Sequence, residues 1–204
     1  MRPLVIAHRG ASWNLPENTL PAFRRAIELG ADYVEFDVRA APDGTLVVAH
    51  DRVRRDSALG LPTLDAVLAE CVGKVGLAVE LKERRVVEPT LRALGEHGAD
   101  SDSVLVVSFL PRAILDTRRL RPDFRTVQHV AYVPMRTAAR YAWGIGLADA
   151  KATGRALALA KRLGVAATVY TVNDERRMRE LADAPVRGIF TDRPDLLRRV
   201  VGHA

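Results

Sequence analysis

The chain is short of cysteine, lysine, aromatic residues and long apolar runs, and each shortage removes a class of protein. A single cysteine, Cys71, in 204 residues excludes an internal disulfide, and its place in an apolar run marks a buried thiol rather than a reactive one. No apolar stretch approaches the length of a membrane span, which excludes stable membrane insertion through a helix. Met-Arg-Pro-Leu-Val-Ile-Ala-His enters a strand at once, with no room for a secretory hydrophobic region, so a cytoplasmic location is the default expectation. Aromatics make up 5% of the chain, too few to interleave with basic residues as a base-stacking surface would require. The basic residues are 27 Arg against 4 Lys, scattered as pairs such as Arg24-Arg25, Arg118-Arg119 and Arg198-Arg199. Those pairs read as solvated helix faces. The net charge of +6 therefore argues for a mild field that draws in anionic small molecules, not for a nucleic-acid partner. There is also no internal repeat, low-complexity segment or linker, so residues 1–204 read as one domain.

What the sequence does have is a dense stretch from Asp32 to Asp51. In an extended strand Glu35 and Asp37 share one face while Val34, Phe36 and Val38 share the other. The apolar face can pack under helices. Two carboxylates side by side repel and are costly to desolvate without a cation. Pro42-Asp43-Gly44 is a turn signal, and a hairpin folding back over residues 46–51 brings His50 into the neighbourhood of Asp37. Only six residues separate Arg39 from Leu46, too few for a parallel crossover.

Along the rest of the chain, short apolar runs alternate with amphipathic stretches. Strands are expected at Leu4 to Ala7, across the organising segment, and at Leu77 to Lys82, Val104 to Phe109, Thr126 to Val130, Gly144 to Leu147, Ala167 to Val172 and Gly188 to Thr191. The expected helices include Asn18 to Leu29, capped by Asn18 and with Leu20, Phe23 and Ile27 as its buried stripe, and a weaker one at Pro134 to Tyr141. Eight β/α units in about two hundred residues predict an α/β fold, a small TIM (β/α)8 barrel with a β-hairpin extension after strand 2. The alternative, an open doubly wound sheet, lacks its Gly-x-Gly-x-x-Gly turn.

In such a barrel the active site forms at the carboxyl ends of the strands. His8 ends the first strand, Glu35 and Asp37 the second, and Glu80 and Lys82 the third. Three carboxylates at one rim suit a hard divalent cation, Mg²⁺ or Ca²⁺, whereas a zinc site would lead with His or Cys ligands. The two histidines then read as acid and base. His129 ends the fifth strand and is a candidate pocket residue, Trp13, Trp143 and Tyr170 either line the pocket or simply pack, and His97 and His203 read as surface residues.

These residues fall into motifs. His8-Arg9-Gly10, Pro16-Glu17-Asn18-Thr19, Glu35-x-Asp37-Val38, Val47-Val48-x-His50-Asp51 and Glu80-Leu81-Lys82, with later Ser108-Phe109, Thr171-Val172-Asn173 and Thr191-Asp192-x-Pro194, resemble the glycerophosphodiester phosphodiesterase family. The resemblance spans nearly the whole chain and implies a TIM barrel that uses a divalent metal to hydrolyse glycerophosphodiesters to glycerol phosphate and an alcohol. It places Glu35, Asp37 and Glu80 on the metal, His8 and His50 on the catalytic pair, and Arg9 and Lys82 on the phosphate, with either histidine free to take the base or the acid role. Two departures stand out. Only ten residues separate Asp51 from Pro62, where the family carries a longer insertion, and Tyr170 stands where the family has Trp. Two other readings follow from the same residues: a phospholipase D-like activity on lysophospholipids or sphingolipids, and a catalytically silent barrel that binds phosphorylated metabolites.

Overall fold

The computed structural model describes residues 2–54 and 60–202. Nine strands form there: β1 (Leu4–Ala7), β2 (Tyr33–Ala40), β3 (Leu46–Val48), β4 (Gly76–Leu81), β5 (Val104–Ser108), β6 (Arg125–His129), β7 (Gly144–Ala148), β8 (Ala166–Tyr170) and β9 (Gly188–Thr191). All but β3 are parallel and close into a ring in chain order, with β1 paired to β2 on one side and to β9 on the other. Helices α1 (Leu20–Glu28), α2 (Leu64–Cys71), α3 (Val87–Glu96), α4 (Pro111–Leu120), α5 (Met135–Ala138), α6 (Gly154–Arg162), α7 (Glu175–Ala182) and α8 (Pro194–Gly202) fill the connections. The molecule is a TIM barrel with one extra strand bonded outside the ring. No helix among the described residues is long and apolar enough to cross a membrane.

The strands read as continuous apolar runs because both of their faces are covered. Ile6, Ala78, Leu105, Val107, Val127 and Phe190 pack inside the ring. The outward residues pack under helices in two clusters, one around Phe23, Phe36, Leu64 and Leu81 and the other around Ile145, Val169, Ile189 and Leu197. Phe23 of α1 meets Phe36 of β2 edge to face, with ring centroids 5.9 Å apart. Cys71 lies in the first cluster, where burial pushes its thiol up to about 12, so the expectation of an inert buried thiol holds.

β1 ends at Ala7, opposite Val34, and leaves the later edge of β2 without a neighbour on that side. β3 takes that edge, pairing Val38 with Val48 and Ala40 with Leu46. The turn closes as its sequence requires. Gly44, at φ 92°, donates to the Ala41 carbonyl, Ala41 donates to Thr45 O, and Asp43 Oδ1 accepts from Thr45 N at 2.9 Å. Ala49 then donates to the Asp37 carbonyl at 2.9 Å, which seats His50 next to that carboxylate. Elsewhere two helices differ from expectation. α1 begins at Leu20 with Thr19 as its cap, because Asn18 turns inward, and the weak helix shrinks to Met135–Ala138, beyond which Tyr141 directs its hydroxyl to Gln128.

Candidate active site

Alternation along β2 sends Val34, Phe36 and Val38 out to the helices and Glu35 and Asp37 into the barrel. Asp37 stands in register with Glu80 of β4. Glu35, Asp37 and Glu80 are buried, and one carboxylate oxygen from each lies within 4.8 Å of the others. Burial, then Asp37 and Glu80, push the Glu35 carboxyl well above its usual range, and burial followed by Asp37 raises Glu80. Burial works against Asp37 as well, but Lys82, the Asn18 amide and Arg9 outweigh it and hold Asp37 low.

The cations sit directly on this cluster. Lys82 Nζ is 2.8 Å from Glu80 and 3.2 Å from Asp37 Oδ1, and Arg9 Nε is 3.2 Å from Asp37 Oδ2. Arg9 also pairs with Glu17 at 2.7 Å, and its backbone N–H donates to Glu35 Oε2 at 2.9 Å. Among the described residues Asp37 Oδ1 has the Lys82 ion pair but no well-aligned hydrogen bond. Three buried, mutually repelling oxygen donors, one of them without a well-aligned hydrogen bond and none of them sulfur or imidazole, fit a hard divalent cation. This donor set does not separate Mg²⁺ from Ca²⁺.

The loop after β1 delivers both cation and amide. Gly10 is at φ 86°, and a Cβ there would lie 2.7 Å from the Ala22 backbone, so only glycine lets α1 approach this closely. Its neighbour Arg9 and the more distant Asn18 are left-handed as well, at φ 56° and 57°, an uncommon state for non-glycine residues that concentrates at functional sites. Asn18, expected to cap α1, instead donates from Nδ2 to Asp37 Oδ2 at 2.9 Å and accepts from Asp37 N with its own oxygen.

His8 and His50 both line a cavity of about 170 Å³ together with Arg9, Glu35, Glu80 and Lys82. Phe109, His129, Tyr170, Thr171 and Phe190 form the remaining wall. Two wider surface grooves, of about 420 Å³ beside Trp13 and 490 Å³ between α3 and α4, hold neither histidine and none of the three carboxylates. The histidines differ in their support. His50 is placed through its backbone, since Arg39 Nε donates to its carbonyl at 2.8 Å, while its Nδ1 meets Asp51, whose side chain is 98% exposed. His8 Nδ1 meets Asp192 Oδ1 at 2.7 Å, a contact that composition and spacing do not reveal.

His129 lines the pocket as a wall, not as a proton carrier. Burial, then Lys82 and His8, push it down to about 3, and it packs against Phe109 and Tyr170 with centroids 4.5 and 4.1 Å away. Tyr170 lines the pocket too, but the two tryptophans do not. Trp13 stands exposed beneath Arg193, and Trp143 precedes β7 at the opposite end of the barrel, beside Arg125. His97 meets Asp65 near the surface, and His203 lies outside the described residues. So does the middle of the short stretch after Asp51, residues 55–59.

Comparisons with known proteins agree with this geometry. The model of the glycerophosphoryl diester phosphodiesterase family matches residues 8–71 and 56–196, two pieces that overlap just after the shortened segment begins. The chain is 30% identical to a glycerophosphodiester phosphodiesterase of Caldanaerobacter subterraneus, over 98% of each chain. That alignment runs to 241 positions, so the relative carries residues that this chain lacks. A glycerophosphodiester phosphodiesterase structure from Parabacteroides distasonis superposes with a TM-score of 0.88 at 24% identity, covering 99% of this chain and 98% of that one. A phosphodiesterase from Oleispira antarctica, solved with the product sn-glycerol-3-phosphate, also scores 0.88 at 24% identity, covering 98% and 97%.

Proposed function

The chain belongs to the glycerophosphoryl diester phosphodiesterase family, and from that premise we propose that it hydrolyses glycerophosphodiesters to glycerol phosphate and an alcohol through His8 and His50. The observation that carries the proposal is the convergence of both histidines, Arg9, Lys82, Glu35 and Glu80 on one small cavity, with Asp37 clustered beside the two glutamates. Glu35, Asp37 and Glu80 would hold a divalent ion, Mg²⁺ or Ca²⁺. When bound, that ion supplies electrophilic neutralisation of a phosphate oxygen.

The chain's own groups do the rest. Arg9 and Lys82 lie where they can shift from the carboxylates toward a phosphodiester anion and offset the charge that grows on its oxygens. One imidazole takes a proton as the new P–O bond forms, either from attacking water or from the neighbouring glycerol hydroxyl, in which case water then opens the resulting cyclic ester to glycerol phosphate. The other gives a proton to the leaving alcohol as the old bond breaks. His129, held neutral, and Tyr170 exclude water from the far side of the cavity.

With only ten residues between Asp51 and Pro62, and with His50 40% exposed, few contacts are available to the alcohol. Headgroup discrimination should stay within about tenfold in kcat/KM, or ~1.4 kcal/mol of transition-state binding. The test is turnover of glycerophosphocholine, glycerophosphoethanolamine, glycerophosphoglycerol and lysophosphatidylcholine, before and after chelation and with Mg²⁺ or Ca²⁺ restored. His8→Ala and His50→Ala should each lower kcat by at least ~10²-fold. Full turnover after exhaustive chelation, or no turnover of any substrate with either ion, would overturn the proposal. A dominant rate on the lysophospholipid would move the assignment to the phospholipase D-like reading.

A further inference from the structure

Asp192 stands one residue beyond β9, where the closing of the ring brings it beside the end of β1. The polar contacts of its carboxylate come from two loops of the rim, the one after β1 and the one after β8. Oδ1 is 2.7 Å from His8 Nδ1 and accepts from Ser12 Oγ at 3.0 Å, and Oδ2 accepts from Asn173 Nδ2 at 2.6 Å. Asn173 is locked in turn, because its oxygen accepts from Asp192 N at 2.9 Å and from Thr191 Oγ1 at 3.1 Å. The His8 backbone is fixed on the same scaffold, with its N–H on Thr191 O at 2.9 Å and its carbonyl under Ser12 Oγ at 2.8 Å.

Among the described residues no Arg or Lys pairs with Asp192, and His8 is its one ion-pair partner. Burial works against the charged form, but the hydrogen bonds from His8, Asn173 and Ser12 hold the carboxyl below its ordinary range, so Asp192 is an acceptor only. An acceptor-only oxygen at 2.7 Å requires the proton on His8 Nδ1, and that leaves Nε2 as the nitrogen free to exchange protons in the cavity. Among the described residues His50 has no counterpart, since its Nδ1 meets the exposed Asp51.

We propose that Asp192, oriented by Ser12 and Asn173, is a positioning residue that fixes the tautomer and direction of the His8 imidazole and offsets its charge when it carries two protons. This rests on His8 being one of the catalytic pair. Asp192 touches no reacting atom and acts only through His8. A buried carboxylate on a catalytic imidazole is a recurrent solution to this problem, and replacing it by the isosteric amide presents N–H where an acceptor is needed.

The test is a double-mutant cycle on the metal-loaded protein, with glycerophosphocholine as substrate and choline release as readout. Asp192→Asn should lower kcat on the order of 10²-fold while KM changes less than about twofold, the pattern of an interaction made in the transition state. In a His8→Ala background the same substitution should change kcat by less than about twofold, because the residue through which it acts is gone. An undiminished penalty in that background, or a normal kcat in Asp192→Asn, overturns the proposal. Nitrogen-15 NMR of histidine-labelled wild-type protein checks it without any substitution. In the neutral imidazole of His8 the proton should sit on Nδ1, and an Nε2–H tautomer overturns the proposal. Loss of the family reaction itself looks different, since wild-type protein would then turn over no substrate whatever the state of His8.

Discussion

β2 has acids at both of its ends, and they sit in opposite electrostatic conditions. Asp32, just before the strand at the N-terminal mouth of the barrel, accepts from Arg2 at 2.7 and 2.9 Å, from Val5 N at 2.8 Å and from Arg198 at 2.9 Å. Against the cost of burial, these donors bring its carboxyl down to about 2. At the other end, burial and neighbouring acids push Glu35 and Glu80 up, and Lys82 and Arg9 are shared among three carboxylates. The first arrangement is complete as it stands and ties β1, β2 and α8 together. The second is short of positive charge, and the deficit is the signature of a site built to receive a cation.

The sharpest way to break this contrast is to remove one acid from the crowded end. Glu80→Gln or Asp37→Asn should lower metal-dependent kcat on the order of 10³-fold, the scale of several kcal/mol of lost charge stabilisation. Without metal, Glu80→Gln should leave the melting temperature unchanged or raise it, because it relieves repulsion. The pH dependence follows the same logic. Glu35 and Glu80 have folded values raised above 4.5, so whatever they contribute to metal-free stability is present below that pH and is lost as pH rises through the folded values. Metal-free wild type should therefore gain on Glu80→Gln mainly above the folded value of Glu80, and divalent ion should abolish the gain. A lower metal-free melting temperature at pH 8 would mean that the acidic cluster is structural.

A smaller effect comes from the amide that orients Asp37. Asn18→Gly keeps a backbone able to hold φ near 57° and removes both contacts to Asp37. Outer partners of metal ligands typically contribute about 10–100-fold in metal affinity, so titration calorimetry with Mg²⁺ or Ca²⁺ should show a loss in that range. Unchanged affinity would return Asn18 to a role in shaping the loop alone.

Asn18 also shows what a sequence can and cannot disclose. The strand runs, the Pro42-Asp43-Gly44 turn and the alternation of Glu35 and Asp37 are local signals, and all of them appear in the fold where periodicity places them. His50 is legible because a short turn fixes its register against Asp37. Asn18 reads wrongly as a helix cap because Asn-Thr offers two capping residues, and a left-handed backbone turns the first one inward. Asp192 is invisible as a partner of His8 because the two are 184 residues apart and meet only when β9 closes on β1. Trp143 fails as a pocket residue for a simpler reason: it precedes its strand, and the site forms beyond the strands' far ends.

The smallest expected effect lies at the satisfied end. Asp32→Asn keeps the size and shape of the side chain but removes the charge that Arg2 and Arg198 hold and sets an amide NH2 against donors at one of the two oxygen positions. The folded carboxyl sits at about 2 against an ordinary 3.8, so its stabilisation is present above 3.8 and is lost as pH falls toward 2. A tenfold change in proton affinity between the folded and unfolded chain is worth about 1.36 kcal/mol. Solvent reaches this site, so roughly 1 kcal/mol at pH 7 is the expected loss after screening. In a chain of this size that lowers Tm by about 2–4 °C. The difference between Asp32→Asn and wild type should shrink on acidification from about pH 5 to about pH 2, while kcat stays at the wild-type value throughout the range where the enzyme is folded. A penalty that does not vary with pH would locate the role of Asp32 in its hydrogen bonds rather than its charge. A fall in kcat would show that the two ends of β2 are coupled, and the contrast between them would then describe one site instead of two.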